Sequence, residues 1–169
     1  MKAIVAVDLN WAIGCRGNLL QWIPEDMKLF KRVTLGKVVV MGRETFESLP
    51  GKEPLKDRIN IVLSKNLCFK NEKVTICRSL DELFQELKNY NVDDVFVIGG
   101  QLVYAQLLPY CTEVYVTKIE SKYAADKHFI NLDTEAIWEL VSTGDLKSYN
   151  DIHYSFLKYV NRSATLQRS

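Results

Sequence analysis

The stretch QWIPEDMKLFKRV, residues 21–33, sets two carboxylates side by side, behind a proline and ahead of an apolar run. Proline suits the first helical position and acids suit the first turn, so a helix is expected to open at Pro24. At about a hundred degrees of rotation per residue, Glu25 shares an arc with Lys28 and Arg32, whereas Asp26 shares one with Leu29, Phe30 and Val33. Glu25 therefore faces water and Asp26 faces the apolar side. A bare carboxylate there costs several kcal/mol unless it is paired, hydrogen-bonded or neutralised. Either the chain supplies the partner or a ligand does.

A second chemistry is written into two places where a strand runs into glycine and then a helix. One is VFVIGGQLVY around Gly99 and Gly100; the other is VVVMGRETFESLP around Gly42. Helix N-termini offer unpaired N–H groups, and glycine lets a phosphate approach the backbone. Taken singly, each glycine reads as a tight turn, and neither stretch matches G-x-G-x-x-G. Arg43 changes the balance: a cation in the first turn opposes the helix dipole by roughly 0.3–1 kcal/mol, without evident structural gain. Thr45 adds a hydroxyl beside it, Ser64 and Lys65 end the strand NIVLSK, and Arg78 sits just before a capped helix. Each cation alone is ordinary solvated surface. Brought together by α/β crossovers they form a basic pocket for a phosphomonoester such as a ribose 2′-phosphate, which implies NADPH over NADH.

The elements that must position these groups are visible in the hydrophobic pattern. Apolar runs at 4–7, 38–41, 59–63 and 95–98 read as strands covered on both faces, as in a parallel sheet. SLDELFQELKN reads as a helix, with Ser79 and Glu82 as a capping box and Leu80, Leu83, Phe84 and Leu87 as its apolar stripe. Another helix follows Gly100 through Val103, Tyr104, Leu107 and Leu108 and is expected to stop at Pro109. The last third changes in kind. EVYVTKIE, WELVST and IHYSFLKYV read as strands, the last two joined across the polar GDLKSYND, which implies an antiparallel edge. At 169 residues the chain reads as a single domain over 1–160 with a polar, frayed tail over 161–169.

Composition excludes several classes of partner. Lys and Arg number 22 against 21 Asp and Glu, for a net charge of +1, so no global field recruits nucleic acid or an anionic membrane. The four cysteines form no C-x-x-C and there are two histidines, so no metal site is expected. With no signal-like or membrane-length apolar run, a soluble protein of the reducing cytoplasm is expected.

The ordered blocks IVAVDLNWAIG, PEDMKLFK, VVVMGRETFESL, RINIVLS, VFVIGG and YVTKI together resemble dihydrofolate reductase over almost the whole chain. The resemblance implies an α/β fold of three layers: a central, mostly parallel eight-stranded sheet with an antiparallel C-terminal strand, flanked by about four helices. It further implies an oxidoreductase that reduces 7,8-dihydrofolate to tetrahydrofolate with NADPH, serves one-carbon metabolism, binds antifolate inhibitors and acts as a monomer. Asp26 matches the family's pterin carboxylate, which accepts two coplanar N–H donors from the 2-amino group and N3. On the family's geometry it lies across the ring from N5, so it is expected to assist protonation electrostatically, or through the pterin's enol form and water. Ile4, Val5, Met27, Phe30 and Ile98 are implied to line the pterin and benzoyl pocket. Arg58 is implied to fork onto the α-carboxylate of the glutamate tail, and Thr117 to hydrogen-bond Asp26 or the pterin.

On the cofactor side the resemblance implies Ala6, Ile13, Gly14 and Asn18 beside the nicotinamide, and Gly42, Arg43, Glu44 and Thr45 together with Ser64, Lys65 and Arg78 along the phosphates and ribose. It assigns Gly99, Gly100, Gln101, Leu102, Val103 and Tyr104 to the pyrophosphate turn, with a cis bond between the two glycines. Residues 14–23 would form a mobile lid. Three departures stand out. The family's L-P-W tryptophan is displaced by one residue at Trp22 in the ungapped match, although compensating one-residue shifts would restore it. Leu102 stands where some members are basic. His128 with Asp126, in AADKHF, matches a family loop with a structural task. A reductase of the same fold acting on a ribosylated pyrimidine would explain the NADPH pocket but not Asp26 or Arg58. A catalytically silent nucleotide-binding module would bind cofactor without turnover.

Overall fold

A computed structural model describes residues 1–163. Of the tail expected over 161–169, residues 164–169 lie outside the described residues. The described residues form twelve strands and four α-helices in chain order: β1 (Lys2–Val7), β2 (Ala12–Cys15), β3 (Asn18–Leu19), α1 (Pro24–Thr34), β4 (Val38–Gly42), α2 (Arg43–Ser48), β5 (Ile59–Leu63), β6 (Thr75–Cys77), α3 (Leu80–Leu87), β7 (Val95–Gly99), α4 (Gln101–Leu107), β8 (Glu113–Ile119), β9 (Lys127–His128), β10 (Trp138–Thr143), β11 (Lys147–Tyr149) and β12 (Ile152–Asn161).

Nine strands form the main sheet, one more than expected: eight in the order β10-β12-β8-β1-β7-β4-β5-β6 and the short β11, which pairs with β12. From β8 to β6 all neighbours are parallel. β12 runs antiparallel to β8, and β10 antiparallel to β12. The architecture agrees with the expected mostly parallel sheet and antiparallel end. The strands in the middle are apolar without alternation because both faces are covered: Val38 and Val40 enter one core cluster, Val39 and Met41 another. α3 and α4 cover the first face through Leu83, Leu87, Val103, Tyr104 and Leu107. α2 covers the second through Phe46.

Details of the helices differ from expectation for local reasons. The Ser79 hydroxyl accepts from the Glu82 N–H at 3.1 Å, but the Glu82 carboxylate reaches the N–H of Arg78 rather than that of Ser79. α4 ends at Leu107, and Pro109 sits inside a following 3-10 turn, Leu108–Tyr110, where a missing N–H is tolerated. β2, β3, β6, β9 and β11 span two to four residues each and carry no readable period. β3, β2 and β9 form a separate small sheet, which contains the start of the expected lid.

Candidate active site

α1 opens as its sequence dictates, with Pro24 in the first turn, Glu25 and Asp26 behind it, and Lys31 and Arg32 in the last turn. Asp26 is 8% exposed. Its Oδ1 accepts a 2.5 Å hydrogen bond from the Thr117 hydroxyl on β8. Among the described residues Oδ2 has no hydrogen-bond or ion-pair partner, and no Lys or Arg reaches either oxygen. Burial raises the carboxyl above its usual range, with the Thr117 hydrogen bond pulling the other way. Glu25 does a different job: it accepts from Lys147 at 2.9 Å and from the Tyr154 hydroxyl at 3.1 Å, tying the β11–β12 hairpin to the start of α1.

The apolar side of α1 is left open. Met27, Leu29, Phe30 and Val33 are only half-buried, while the facing strand residue Thr117 is 2% exposed. Thr117 is opposite Ala6 on β1 and Phe156 on β12, so Ala6 and Ile4 share the sheet face on which Asp26 sits. Val5 packs into the core cluster of the other face. Ile98 lies half-buried beside Met41 and Phe46. Met27, Phe30, Ile4, Ala6 and Ile98 outline an apolar slot with Asp26 in its wall, and Val5 points away from it. At its outer end the Arg58 guanidinium lies 5.6 Å from the centre of the Phe30 ring. Its Nε is the one buried side-chain nitrogen or oxygen without a hydrogen-bond partner among the described residues. Burial lowers the Arg58 pKa, against a raising influence from Asp57.

The two glycine turns lie against one another. β4 and β7 are neighbours, and a Cβ built on Gly42 would lie 3.1 Å from Val103 Cγ2 and 3.9 Å from the Gly100 nitrogen. A Cβ on Gly100 would lie 3.2 Å from Thr45 Oγ1. The peptide between Gly99 and Gly100 is cis, and Gly99 has φ of 125°. The cradle thus needs bare backbone at these points, as a phosphate site does. α2 and α4 are short, six and seven residues, so the turn N–H groups matter more here than the helix dipoles.

Strand register assembles the basic pocket. Gly42 pairs with Leu63 and Leu63 with Cys77, so the residues that follow them, Arg43, Ser64 and Arg78, emerge side by side. Lys65 is exposed next to the buried Ser64. Two corrections apply. Arg43 has a structural partner after all, Glu47 one turn on at 2.6 Å, which offsets its conflict with the helix dipole. Arg78 is not a free cation: it donates to the carbonyls of Ser64, Asn66 and Phe69 at 3.2, 2.6 and 2.8 Å, and so shapes the 64–69 loop. Leu102 is 74% exposed and Glu44 is exposed, whereas Val103 and Tyr104 are buried behind the turn, the Tyr104 hydroxyl donating to the Ile4 carbonyl at 2.7 Å.

The segment expected to act as a lid, residues 14–23, is tied to the loop before β9, and β9 to the glycine turn. Gly14 and Asn18 lie in its β2–β3 hairpin; a Cβ on Gly14 would meet the Asn18 carbonyl at 2.8 Å, and the exposed Asn18 side chain donates to the Arg16 carbonyl. Ile13 packs against the core. Asp126 accepts from the Arg16 N–H at 3.1 Å and donates its own N–H to the Gly14 carbonyl at 3.2 Å. The Gln101 side chain accepts from the His128 N–H at 2.8 Å, which links the glycine turn to β9. Trp22 is 59% exposed while Ile23 fills the buried place beside it. Asp8, fully buried, was missed by sequence reasoning; it accepts the N–H groups of Asn10, Ala12 and Tyr123 and so anchors the root of the lid. Asn60 was missed as well, although a polar residue inside the run INIVL was the available signal.

The family model described as "Dihydrofolate reductase" matches residues 1–161. A dihydrofolate reductase of Bacillus subtilis is 36% identical over 165 residues, 96% of this chain and 95% of that one. One from Staphylococcus aureus is 34% identical over 164 residues, 96% and 98% of the two chains. A solved dihydrofolate reductase from Enterococcus faecalis, complexed with NADP(H) and the compound RAB-propyl, superposes with a TM-score of 0.83 at 32% identity, covering 95% of each chain.

Proposed function

This chain belongs to the dihydrofolate reductase family, and from that premise we propose that Asp26 is the group that holds the pterin ring of 7,8-dihydrofolate for reduction. The protein is an NADPH-dependent oxidoreductase that forms 5,6,7,8-tetrahydrofolate, the reaction that supports one-carbon metabolism. NADPH, when bound, supplies the hydride taken up at pterin C6.

The observation that carries the assignment is the dry carboxylate with a single protein partner. Asp26 accepts the 2-amino and N3 hydrogens of the pterin, a planar two-point contact that offsets the loss of hydration. Thr117 keeps Oδ1 in place for that contact. The raised pKa of Asp26 brings its protonation nearer to neutral pH, where a carboxyl assists delivery of a proton to N5 most effectively. Met27 and Phe30, with Ile4 and Ile98, enclose the ring and the benzoyl group and exclude water from the reacting face, while Val5 backs that wall from the core of the opposite sheet face. Arg58, with its unpartnered Nε and its guanidinium resting on Phe30, receives the α-carboxylate of the glutamate tail. Flat diamino heterocycles of the antifolate class present the same pair of hydrogens to Asp26.

The cofactor's pyrophosphate is held by the backbone of Gly42, Gly99, Gly100 and Gln101 with Thr45 beside them. Its 2′-phosphate meets Arg43, Ser64 and Lys65 in a loop shaped by Arg78, with Glu44 and Leu102 at the rim and Val103 and Tyr104 supporting the turn from behind. Ala6, Ile13, Gly14 and Asn18 flank the nicotinamide, and the 14–23 lid shields it. One chain over residues 1–160 suffices, because every assigned residue belongs to it, and it acts as a monomer in the cytoplasm. The free state of all four cysteines fits a reducing compartment, and no described helix is long and apolar enough to cross a membrane.

Oxidation of NADPH and of NADH, each followed with dihydrofolate and with a ribosylated aminopyrimidine, tests this reading. Turnover of dihydrofolate with a strong preference for NADPH is expected. Turnover of the pyrimidine instead, or cofactor binding without any turnover, would refute it.

A further inference from the structure

We propose that Asn60 is the positioning residue that aims Arg58 at the carboxylate end of the substrate, a proposal that rests on the reading of Arg58 given above. Asn60 lies on β5, is 6% exposed, and is a polar interruption in an otherwise apolar strand. Its side-chain oxygen accepts the Leu55 N–H at 2.9 Å, and its side-chain nitrogen donates to the carbonyls of Leu55 and Arg58 at 2.9 and 3.0 Å. The side-chain amide thus pairs with Leu55 as a peptide group would in a sheet, and it spends its second N–H on the peptide that leaves Arg58. Both donors and the acceptor are engaged.

The consequence is that the turn over 55–58, which packs no regular element of its own, has a fixed exit. Asp57, immediately before Arg58, has φ of 58°, the left-handed turn conformation that aspartate tolerates and that reverses the chain into β5. With the Arg58 carbonyl held, the direction of its side chain out of β5 is set, and the guanidinium comes to rest over Phe30 on α1. The buried Nε has no hydrogen-bond partner among the described residues, so the guanidinium is not committed to a protein acceptor. Two contacts from opposite walls of the cleft therefore place one cation: Asn60 fixes its backbone and Phe30 its planar head. No other side chain among the described residues makes a hydrogen bond to this turn's Leu55 or Arg58 backbone.

If Asn60 acted only as fold support, its loss would weaken every substrate alike. If it acts through Arg58, its loss is felt only by substrates that carry the tail. The test uses Asn60→Asp, which keeps the shape and the acceptor but not the donors, and Asn60→Ala, each alone and combined with Arg58→Leu. Steady-state kinetics are read for dihydrofolate and for a tail-free 7,8-dihydropterin. The expected result is a KM for dihydrofolate raised about tenfold with kcat changed by less than about twofold, the tail-free pterin unaffected, and no further loss once Arg58 is Leu. Equal losses on both substrates, losses that add fully to those of Arg58→Leu, an unchanged dihydrofolate KM, or failure of both Asn60 variants to fold would each overturn the proposal. The reading of Arg58 fails separately, if Arg58→Leu alone treats the two substrates as the wild type does.

Discussion

Asp26 carries opposing duties, and its ionisation makes them measurable. Burial raises its pKa in the folded chain, so between the ordinary carboxylate range and that raised value the folded state binds more protons than the unfolded one. Stability contributed by the protonated form is present at acid pH and is lost as pH rises through the folded value. Asp26→Asn should therefore melt at a higher temperature than wild type at pH 7, and the gain should shrink as pH falls below the usual carboxylate range; thermal melts across pH check it. A destabilised variant at neutral pH would show the carboxylate to be well solvated or paired. Thr117→Val removes the one hydrogen bond that opposes the upward shift, so the pH profile of activity should move to higher pH. An unmoved profile would mean that water replaces the hydroxyl. At this scale helix rotation alone separated Asp26 from Glu25. Arg43 and Arg78 were legible as cations but were not read as partners: Glu47 four residues on was available from helix spacing and was overlooked, whereas the loop carbonyls that engage Arg78 depend on geometry that spacing does not encode. Asn60 was invisible as a clamp for the same reason.

The elements followed local rules wherever they were long enough to show a period. α1, α3 and the central strands were legible from apolar spacing and end signals, whereas β3 and β9, at two residues each, exist only because β2 lies between them. β6 is three residues long and takes its identity from β5 alongside it. α3 illustrates how little a local element owes to the site. Ser79 caps it through the Glu82 N–H, so Ser79→Ala should cost about 1 kcal/mol and lower the melting temperature by about 2–4 °C. Calorimetry checks the loss, and kcat/KM for dihydrofolate should stay at the wild-type value. A drop in turnover would tie α3 to the neighbouring phosphate pocket through Arg78.

The molecule as a whole works by strand order, which the sequence pattern did not reveal. The chain builds β4, β5 and β6 outward, then returns to insert β7 between β4 and β1, so that Arg43, Ser64 and the Gly99–Gly100 turn follow the carboxyl ends of parallel strands, while Asp26 reaches the sheet from α1 through Thr117 on β8. One rigid sheet therefore presents the acid slot and the phosphate cradle on the same edge. Binding to that edge should stabilise the entire fold: at a hundredfold excess over its Kd, NADPH should add about 2.7 kcal/mol. At equal concentration NADH should raise the melting temperature less, for want of a 2′-phosphate; equal shifts would leave the basic pocket without a role. The most direct test of the central claim remains turnover by the intact enzyme, with NADPH oxidation on dihydrofolate compared between wild type and Asp26→Asn at neutral pH. Loss of the carboxylate should lower kcat/KM by about a hundredfold or more, with partial recovery as solvent acidity replaces it. An Asp26→Asn enzyme that turns over dihydrofolate as fast as wild type at neutral pH would contradict it.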